Sequence, residues 1–288
     1  MRGRDLAQRT VADFGDQWAR YADNSGYYGS VAHFEDTMAG LIGLNEFEGA
    51  RVAEIGSGTG RIVKILAGLK VARVHAVEPA PGAFETLCRN TEPEKGVISY
   101  MNAPGDALPP GLELDLALSI GVIHHIPDPR RTMRAMFDAL KPGGRCLVWL
   151  YAREGNELYL SVVGPLRRLT VRLPHWALAL LCHVLNAGLD AYIAVCRFAP
   201  LPMRHYVRSV LRRLQRDKRY LVLYDQLNPA YAKYYTEREA RGVLEAAGFI
   251  DVRARHRHGY SWTVIGTKPH ETRDGRAAVP GGPGPSRE

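Results

Sequence analysis

The sequence predicts an α/β fold, a mostly parallel open sheet flanked by helices, and three observations predict it. Short apolar runs rich in β-branched residues alternate with helical patterns through residues 46–155 and resume at 236–268. Glycines at alternating positions, Gly56, Gly58 and Gly60, separate the first of these strands from the first of these helices. The last two strands, 250–256 and 260–268, are joined by too few residues for a crossover, so they pair antiparallel and reverse the end of the sheet.

Residues 1–45 read as a helical arm. Phe14, Trp18 and Tyr21 recur at helical spacing among Asp16, Gln17 and Arg20, and a second amphipathic run covers 31–42, stopped by Gly43. Strands follow at 51–55, 73–77, 96–101, 114–120 and 145–151. Between them lie helices near 59–69, at 81–90 with proline in its first turn, and at 129–140 before the stop KPGG. The run 145–151 is almost wholly apolar, as a strand buried on both faces would be. The helix that resumes the alternation opens with a capping box, Thr236 and Glu239. Residues 269–288 are rich in Gly, Pro and Arg and are expected to be disordered.

Residues 156–235 interrupt this pattern. They carry twelve Lys and Arg against four Asp and Glu, which accounts for the whole net charge of +8. The excess is local and does not suit a general affinity for nucleic acid. The four cysteines, Cys88, Cys146, Cys182 and Cys196, form no C-x-x-C pair, and the opening MRGRDLAQRT has no apolar leader core. A cytoplasmic protein with reduced thiols is expected. The run HRHGYSW at 256–262 lacks ligand spacing with any cysteine and is read as a strand connection, so no metal is expected.

Strand, glycine turn and helix start together bring backbone close to a ligand. A dehydrogenase fingerprint requires G-x-G-x-x-G over a pyrophosphate, but the third glycine position is Arg61 and the turn is preceded by Glu54. An acidic side chain repels a pyrophosphate and attracts an ammonium or sulfonium.

At this point the chain resembles the class I S-adenosylmethionine-dependent methyltransferases. AEIGSGTGR resembles their glycine motif, HAVEPA their acidic ribose-binding strand end, and GDALP their adenine-reading turn. DLALSIGVIHHIPDP followed by ALKPGG resembles their fourth and fifth strands. The resemblance implies a Rossmann-like domain, S-adenosylmethionine as cofactor, and a cofactor site on Glu54, Gly56, Ser57, Gly58, Gly60, Glu78, Pro79, Asp106, Ala107, Ser119 and Ile120. The residues support this independently. Glu78 lies 18 positions after Gly60, near the spacing at which a strand-end acid meets a ribose diol. Asp106 can accept from an adenine amino group, or simply shape a Pro/Gly turn. Ser119 and Ile120 end the fourth strand, outside which the methyl group would lie. His124 and His125 follow; either is a candidate general base, or packs the next helix instead.

The insertion leaves the sheet at the edge of this site and is expected to cap it. Its middle, 176–195, contains His183, Asn186 and Asp190 and reads as a buried cap helix. Its basic flanks have three readings: a solvated face, contact with an anionic membrane surface, or a site for an anionic substrate or RNA. The tyrosines and Asn228-Pro229 of 223–235 are candidates for the acceptor pocket, and Trp18, Tyr21 and Tyr28 of the arm for a cover over the cofactor. The expected activity is methyl transfer to a small-molecule or lipid-like acceptor, at oxygen before nitrogen before carbon. The alternatives are a non-catalytic cofactor-binding scaffold, a methyltransferase acting on RNA, and a nicotinamide-dependent oxidoreductase.

Overall fold

The computed structural model describes residues 3–270. The expected disordered tail lies outside the described residues from 271 onward.

Seven strands form one sheet: β1 (Arg51–Ile55), β2 (Arg73–Val77), β3 (Ile98–Met101), β4 (Leu114–Ile120), β5 (Leu140–Tyr151), β6 (Ile250–Arg257) and β7 (Ser261–Thr267). The spatial order is β3-β2-β1-β4-β5-β7-β6. Strands β3 to β5 pair in parallel, while β7 is antiparallel to both β5 and β6. The reversed strand is last in sequence but sits one place in from the edge. A short connection lets β7 turn back beside β6 and wedge between it and β5.

Helices cover both faces, as a parallel sheet requires. On one face α2 (Val31–Met38), α3 (Arg61–Gly68) and α4 (Pro81–Asn90) bury Phe34, Met38, Ile62, Leu66 and Leu87 against Val52, Leu116 and Leu118. On the other, α5 (Arg130–Ala139) and α10 (Glu237–Glu245) bury Met133, Met136 and Leu244 against Ala53, Ala117 and Val148. The alternation of Leu116, Ala117 and Leu118 between the two cores follows the two-residue period of a strand. The capping box of α10 forms: Glu239 N–H donates to Thr236 Oγ1 at 3.3 Å, and Thr236 N–H donates to Glu239 Oε2 at 2.9 Å.

Several boundaries differ from the sequence reading, and helix α2 ends at Met38 instead of 42. Residues 96 and 97 belong to a 3-10 segment, so β3 starts at Ile98. Strand β5 starts at Leu140, before the KPGG stop, and absorbs it as an irregularity in its pairing with β4. Gly143 takes φ +77°, and a Cβ on Gly144 would meet Leu114 O at 2.8 Å. Glycines there let one strand bulge past the other.

The arm is α1 (Gly3–Arg20), which lies along α4. The insertion folds as α6 (Glu157–Thr170), α7 (His175–Val195), α8 (Arg204–Ser209) and α9 (Arg216–Leu227), around two small apolar cores. One expectation fails here. Helix α7 is not a buried helix: only Leu178, Cys182, Asn186 and Ile193 are buried, and Trp176, Leu180, Val184 and Val195 face solvent. The cap is one helix thick on this side, so α7 packs through a single stripe.

Candidate cofactor and acceptor site

The order of the sheet reverses between β1 and β4, and ligands of open α/β sheets bind beyond the carboxyl ends of the strands at such a point. A cavity of about 1150 Å³ opens there, walled by the glycine loop, the arm and the cap. It exceeds the ~300–1,000 Å³ usual for one small ligand, so two can share it.

The glycine loop is pinned to the end of β2: the N–H groups of Gly56 and Ser57 both donate to Val77 O, at 2.8 and 3.0 Å. The loop glycines have distinct roles. All three have positive φ. A Cβ on Gly56 would run into Val122, and one on Gly60 would meet Leu87 and Thr91 at 2.9 Å. Those two permit close packing. A Cβ on Gly58 would meet nothing within 4 Å, so only this glycine keeps space clear for a ligand.

Two carboxyls face that space. Glu78 Oε2 accepts from Gly58 N–H at 2.8 Å and Oε1 from Ala80 N–H at 2.9 Å. Each oxygen is fixed by one donor and keeps a lone pair for another. Burial raises the pKa of Glu78. Glu54 is buried beside it with Oε2 unpartnered, and burial pushes its carboxyl up to about 8. An unpartnered buried carboxyl is costly unless something completes it. A diol on Glu78 and an ammonium on Glu54 suit this pair.

The cavity also takes in Ser57, Pro79, Asp106 and Ile120. The structure does not bring Gly60, Ala107, Ser119 or His124 to its wall. Gly60 caps α3 with φ +87°. Ala107 stands on the outer side of the turn Gly105–Ala107. The Ser119 hydroxyl donates to Ile55 O at 3.2 Å and ties β4 to β1. Gly121, beyond it, lines the cavity at φ +82° with open space where a Cβ would be.

The histidines divide. His124 is wholly buried, its ring centroid 3.8 Å from that of Tyr151, and burial holds its pKa well below the usual value. It packs the end of the fifth strand. His125 lines the cavity. Its Nδ1 lies 2.8 Å from Tyr231 O, an acceptor only, so Nδ1 carries the proton and Nε2 the lone pair. Burial pushes its pKa down to about 4, so it is neutral at pH 7.

The remaining wall is aromatic and aliphatic. Tyr159, Tyr192 and Tyr206 come from the cap, Tyr234 from the return segment, Trp18 and Tyr28 from the arm. Tyr159 and Tyr234 both donate to Gln226 Oε1, at 2.9 and 2.6 Å. Asp225 accepts from the Gln17 amide of the arm, and burial pushes its carboxyl up to about 7. Asn228 donates to Asp13 O and Gln17 Oε1, joining arm to cap away from the cavity, and Tyr21 hydrogen-bonds Tyr220 in the cap. The strand connection at HRHGYSW contributes Arg257 and Tyr260; Arg257 is ion-paired with Asp36. Asp225 and Arg257 escaped the sequence reading. A lone acid inside an apolar helical run was the one available signal for Asp225.

Residues 53–148 match the family model described as a methyltransferase domain. Over these residues the sheet is that of a methyltransferase domain, in agreement with the class I S-adenosylmethionine-dependent methyltransferases that the motifs resemble. S-adenosylmethionine is its cofactor, and Glu54, Gly58 and Glu78 fit that ligand's ammonium and ribose as described above. Among curated relatives, the chain is 31% identical over 121 residues to a ubiquinone biosynthesis O-methyltransferase of Dinoroseobacter shibae, covering 42% of this chain and 48% of that one. It is 30% identical over 126 residues to a tRNA U34 carboxymethyltransferase of Chromohalobacter salexigens, covering 42% and 38%. The chain thus spans about half the length, or less, of these relatives. A solved structure, the 1,6-didemethyltoxoflavin-N1-methyltransferase of Burkholderia thailandensis, superposes with a TM-score of 0.54 over 93% of this chain and 91% of that one at 15% identity, which speaks to the fold. Insertion and arm, which supply the aromatic wall of the cavity, lie outside the matched 53–148.

Proposed function

We propose that this chain transfers a methyl group from S-adenosylmethionine to a lipophilic small molecule, at a hydroxyl before an amine or a carbon, in a cytoplasmic setting. The observation that carries the proposal is the shape of the cavity. It runs from the glycine loop into a chamber whose far wall is tyrosines and aliphatic side chains of the cap, and its Asp225, Gln226 and Arg257 are already paired with protein groups. When bound, the cofactor supplies an electrophilic methyl on a sulfonium with a good leaving group. The protein's share is therefore mainly placement, and holding two reactants in line supplies much of the acceleration. Glu54, Gly58 and Glu78 hold the donor. His125 Nε2 is an acceptor at the inner end of the chamber. With a pKa of about 4 it is a weak base, and its role is to orient an acceptor O–H or N–H by hydrogen bonding. Tyr234, Gln226 and Tyr159 form a fixed relay that can meet one polar substituent on an otherwise apolar acceptor.

The test is to incubate the chain with S-adenosylmethionine and a panel of phenols, quinols, amines and lipid-like alcohols, scoring S-adenosylhomocysteine and methylated product. Turnover of apolar phenols or alcohols supports the proposal. Cofactor binding without product across the panel favours the scaffold reading, and product only with RNA favours an RNA substrate.

A further inference from the structure

Nine of the ten exposed large apolar side chains among the described residues fall between Leu158 and Phe198, on the outer face of the cap. On α7 they fall in one stripe. Trp176, Leu180, Val184 and Val195 are exposed, with Ala187 and Ala191 between them at helical spacing, and no charged residue interrupts the row. At the α6–α7 turn Leu169, Leu173 and Trp176 come within eight residues, and Trp176 is 70% exposed. Phe198, just past the end of α7, is 88% exposed. Contiguous exposed apolar surface of this kind marks a contact surface, not ordinary scatter.

The charges around it say what it contacts. From 158 to 216 there are nine arginines and one acidic residue, Asp190. Asp190 is already paired with Arg216 and Arg219, at 3.2 and 2.7 Å. Arg168, Arg172 and Arg197 are exposed and directly precede Leu169, Leu173 and Phe198. Apolar side chains interleaved with unopposed guanidiniums match a bilayer interface carrying anionic headgroups. A second copy of the chain would bring its own arginines to the contact. Helix α7 is long and apolar enough to cross a membrane, yet it is held to the cap: Leu178, Cys182 and Ile193 are buried, and Asn186 Nδ2 donates to Arg216 O at 2.8 Å. It is therefore placed to lie on a bilayer, not through it.

We infer that the outer face of α6 and α7 docks the protein on an anionic phospholipid surface. The inner faces of the same two helices contribute Tyr159, Leu189 and Tyr192 to the cavity. The acceptor chamber thus lies one helix away from the bilayer, which is where a lipophilic substrate would be found. That last step rests on the proposed acceptor class; the docking itself does not.

The test is co-sedimentation of the full chain with vesicles of phosphatidylglycerol and phosphatidylcholine (3:7) and with pure phosphatidylcholine, without any methyl acceptor. Binding to the mixed vesicles, reduced at least tenfold by high salt or by pure phosphatidylcholine, is the expected result. The triple variant Leu169→Ser, Leu173→Ser, Trp176→Ser should weaken binding at least tenfold, as should Arg168→Glu with Arg172→Glu. Thermal midpoint and S-adenosylmethionine affinity should stay at wild-type values in both, because these side chains touch neither core nor cofactor site. Absence of vesicle binding overturns the inference, as does binding that neither variant changes. Self-association without vesicle binding, abolished by the triple variant, would make the face a subunit interface and overturn it equally. Loss of the methyl-transfer reading would leave the vesicle result untouched, and the reverse, so the two fail separately.

Discussion

Glu54 offers the sharpest quantitative test of the cofactor site. In the free protein burial pushes its carboxyl up to about 8 and leaves Oε2 without a partner. At pH 7 such a group is roughly nine-tenths protonated. The ammonium of the methionine moiety favours the ionised form. Binding should therefore expel close to one proton, up to about 0.9 per event at pH 7. The perturbation is Glu54→Gln, which keeps the shape of the protonated side chain and cannot ionise. Calorimetric titration with S-adenosylhomocysteine in two buffers of different ionisation enthalpy counts the protons. Wild type should release most of one, and Glu54→Gln close to none. Affinity should fall tenfold or more, since a hydrogen bond to a charged group contributes ~1.5–3 kcal/mol. The same shift fixes the sign of a stability effect. The folded pKa lies above the ordinary 4.5, so between about 4.5 and about 8 the native state holds a proton that the unfolded state has lost. Stability of the free protein should fall as pH rises through that window, and Glu54→Gln should flatten the slope. Equal proton release by wild type and variant would refute the assignment.

Other substitutions separate ligand contacts from packing. Glu78→Gln sets an amide N–H against one of the two backbone donors that now hold the carboxylate, so calorimetry should show cofactor affinity lowered at least tenfold. Gly58→Ala places a methyl where the structure has only space, so unfolding free energy should drop by no more than the ~1–2 kcal/mol strain of its φ of +54° while cofactor binding is lost. Gly56→Ala, which strikes Val122, should instead destabilise the fold itself. His124→Phe should preserve turnover within a few-fold, because that ring packs among Tyr151, Trp149 and His125 and lines no part of the cavity, whereas His125→Ala should lower kcat at least tenfold. The wild-type rate should show no His125 titration between pH 6 and 8, because its pKa is pushed down to about 4.

The sheet was legible because each signal is local. An alternation of apolar strand and amphipathic helix names a parallel sheet, and the loop between β1 and α3 shows its glycines in the sequence itself. Glu54 and Glu78 were legible as cavity residues for the same reason: each ends or nearly ends a strand, where the fold alone aims it at the space beyond the sheet. Ser119 and His124 show the limit of that logic. They adjoin Ile120 and His125 in sequence, but strand alternation and the turn after β4 direct neighbouring side chains to opposite sides, one into the core and one toward the cavity. The α7 expectation failed differently. Composition reports that a helix is apolar but not what lies beyond it, and here only one stripe of α7 has a protein neighbour. Asp225 was illegible because its partner, Gln17, is 208 residues away.

That distance carries a consequence for how the site works. The arm from Gln17 to Asn24 touches the two compartments at once. Gln17 meets Asp225, Tyr21 O–H donates to the Tyr220 hydroxyl at 2.9 Å, and buried Lys218 donates to Asp23 O and Oδ2 at 2.6 and 2.7 Å, all on the cap side. A residue further on, Asn24 Nδ2 donates to Thr59 O at 3.2 Å and Asn24 Oδ1 accepts from Thr59 Oγ1 at 2.8 Å, on the glycine loop. Asn90 seals the same joint, donating to both Ala22 O and Thr59 O at 2.9 Å. The glycine loop and the cap are thus tied together by one segment of chain. An acceptor that displaced the arm at Asp225 would also strain the contacts that close the glycine loop. Donor and acceptor binding are therefore expected to be coupled through residues 17–24, and calorimetric titration of each in the presence of the other should change both affinities by the same factor.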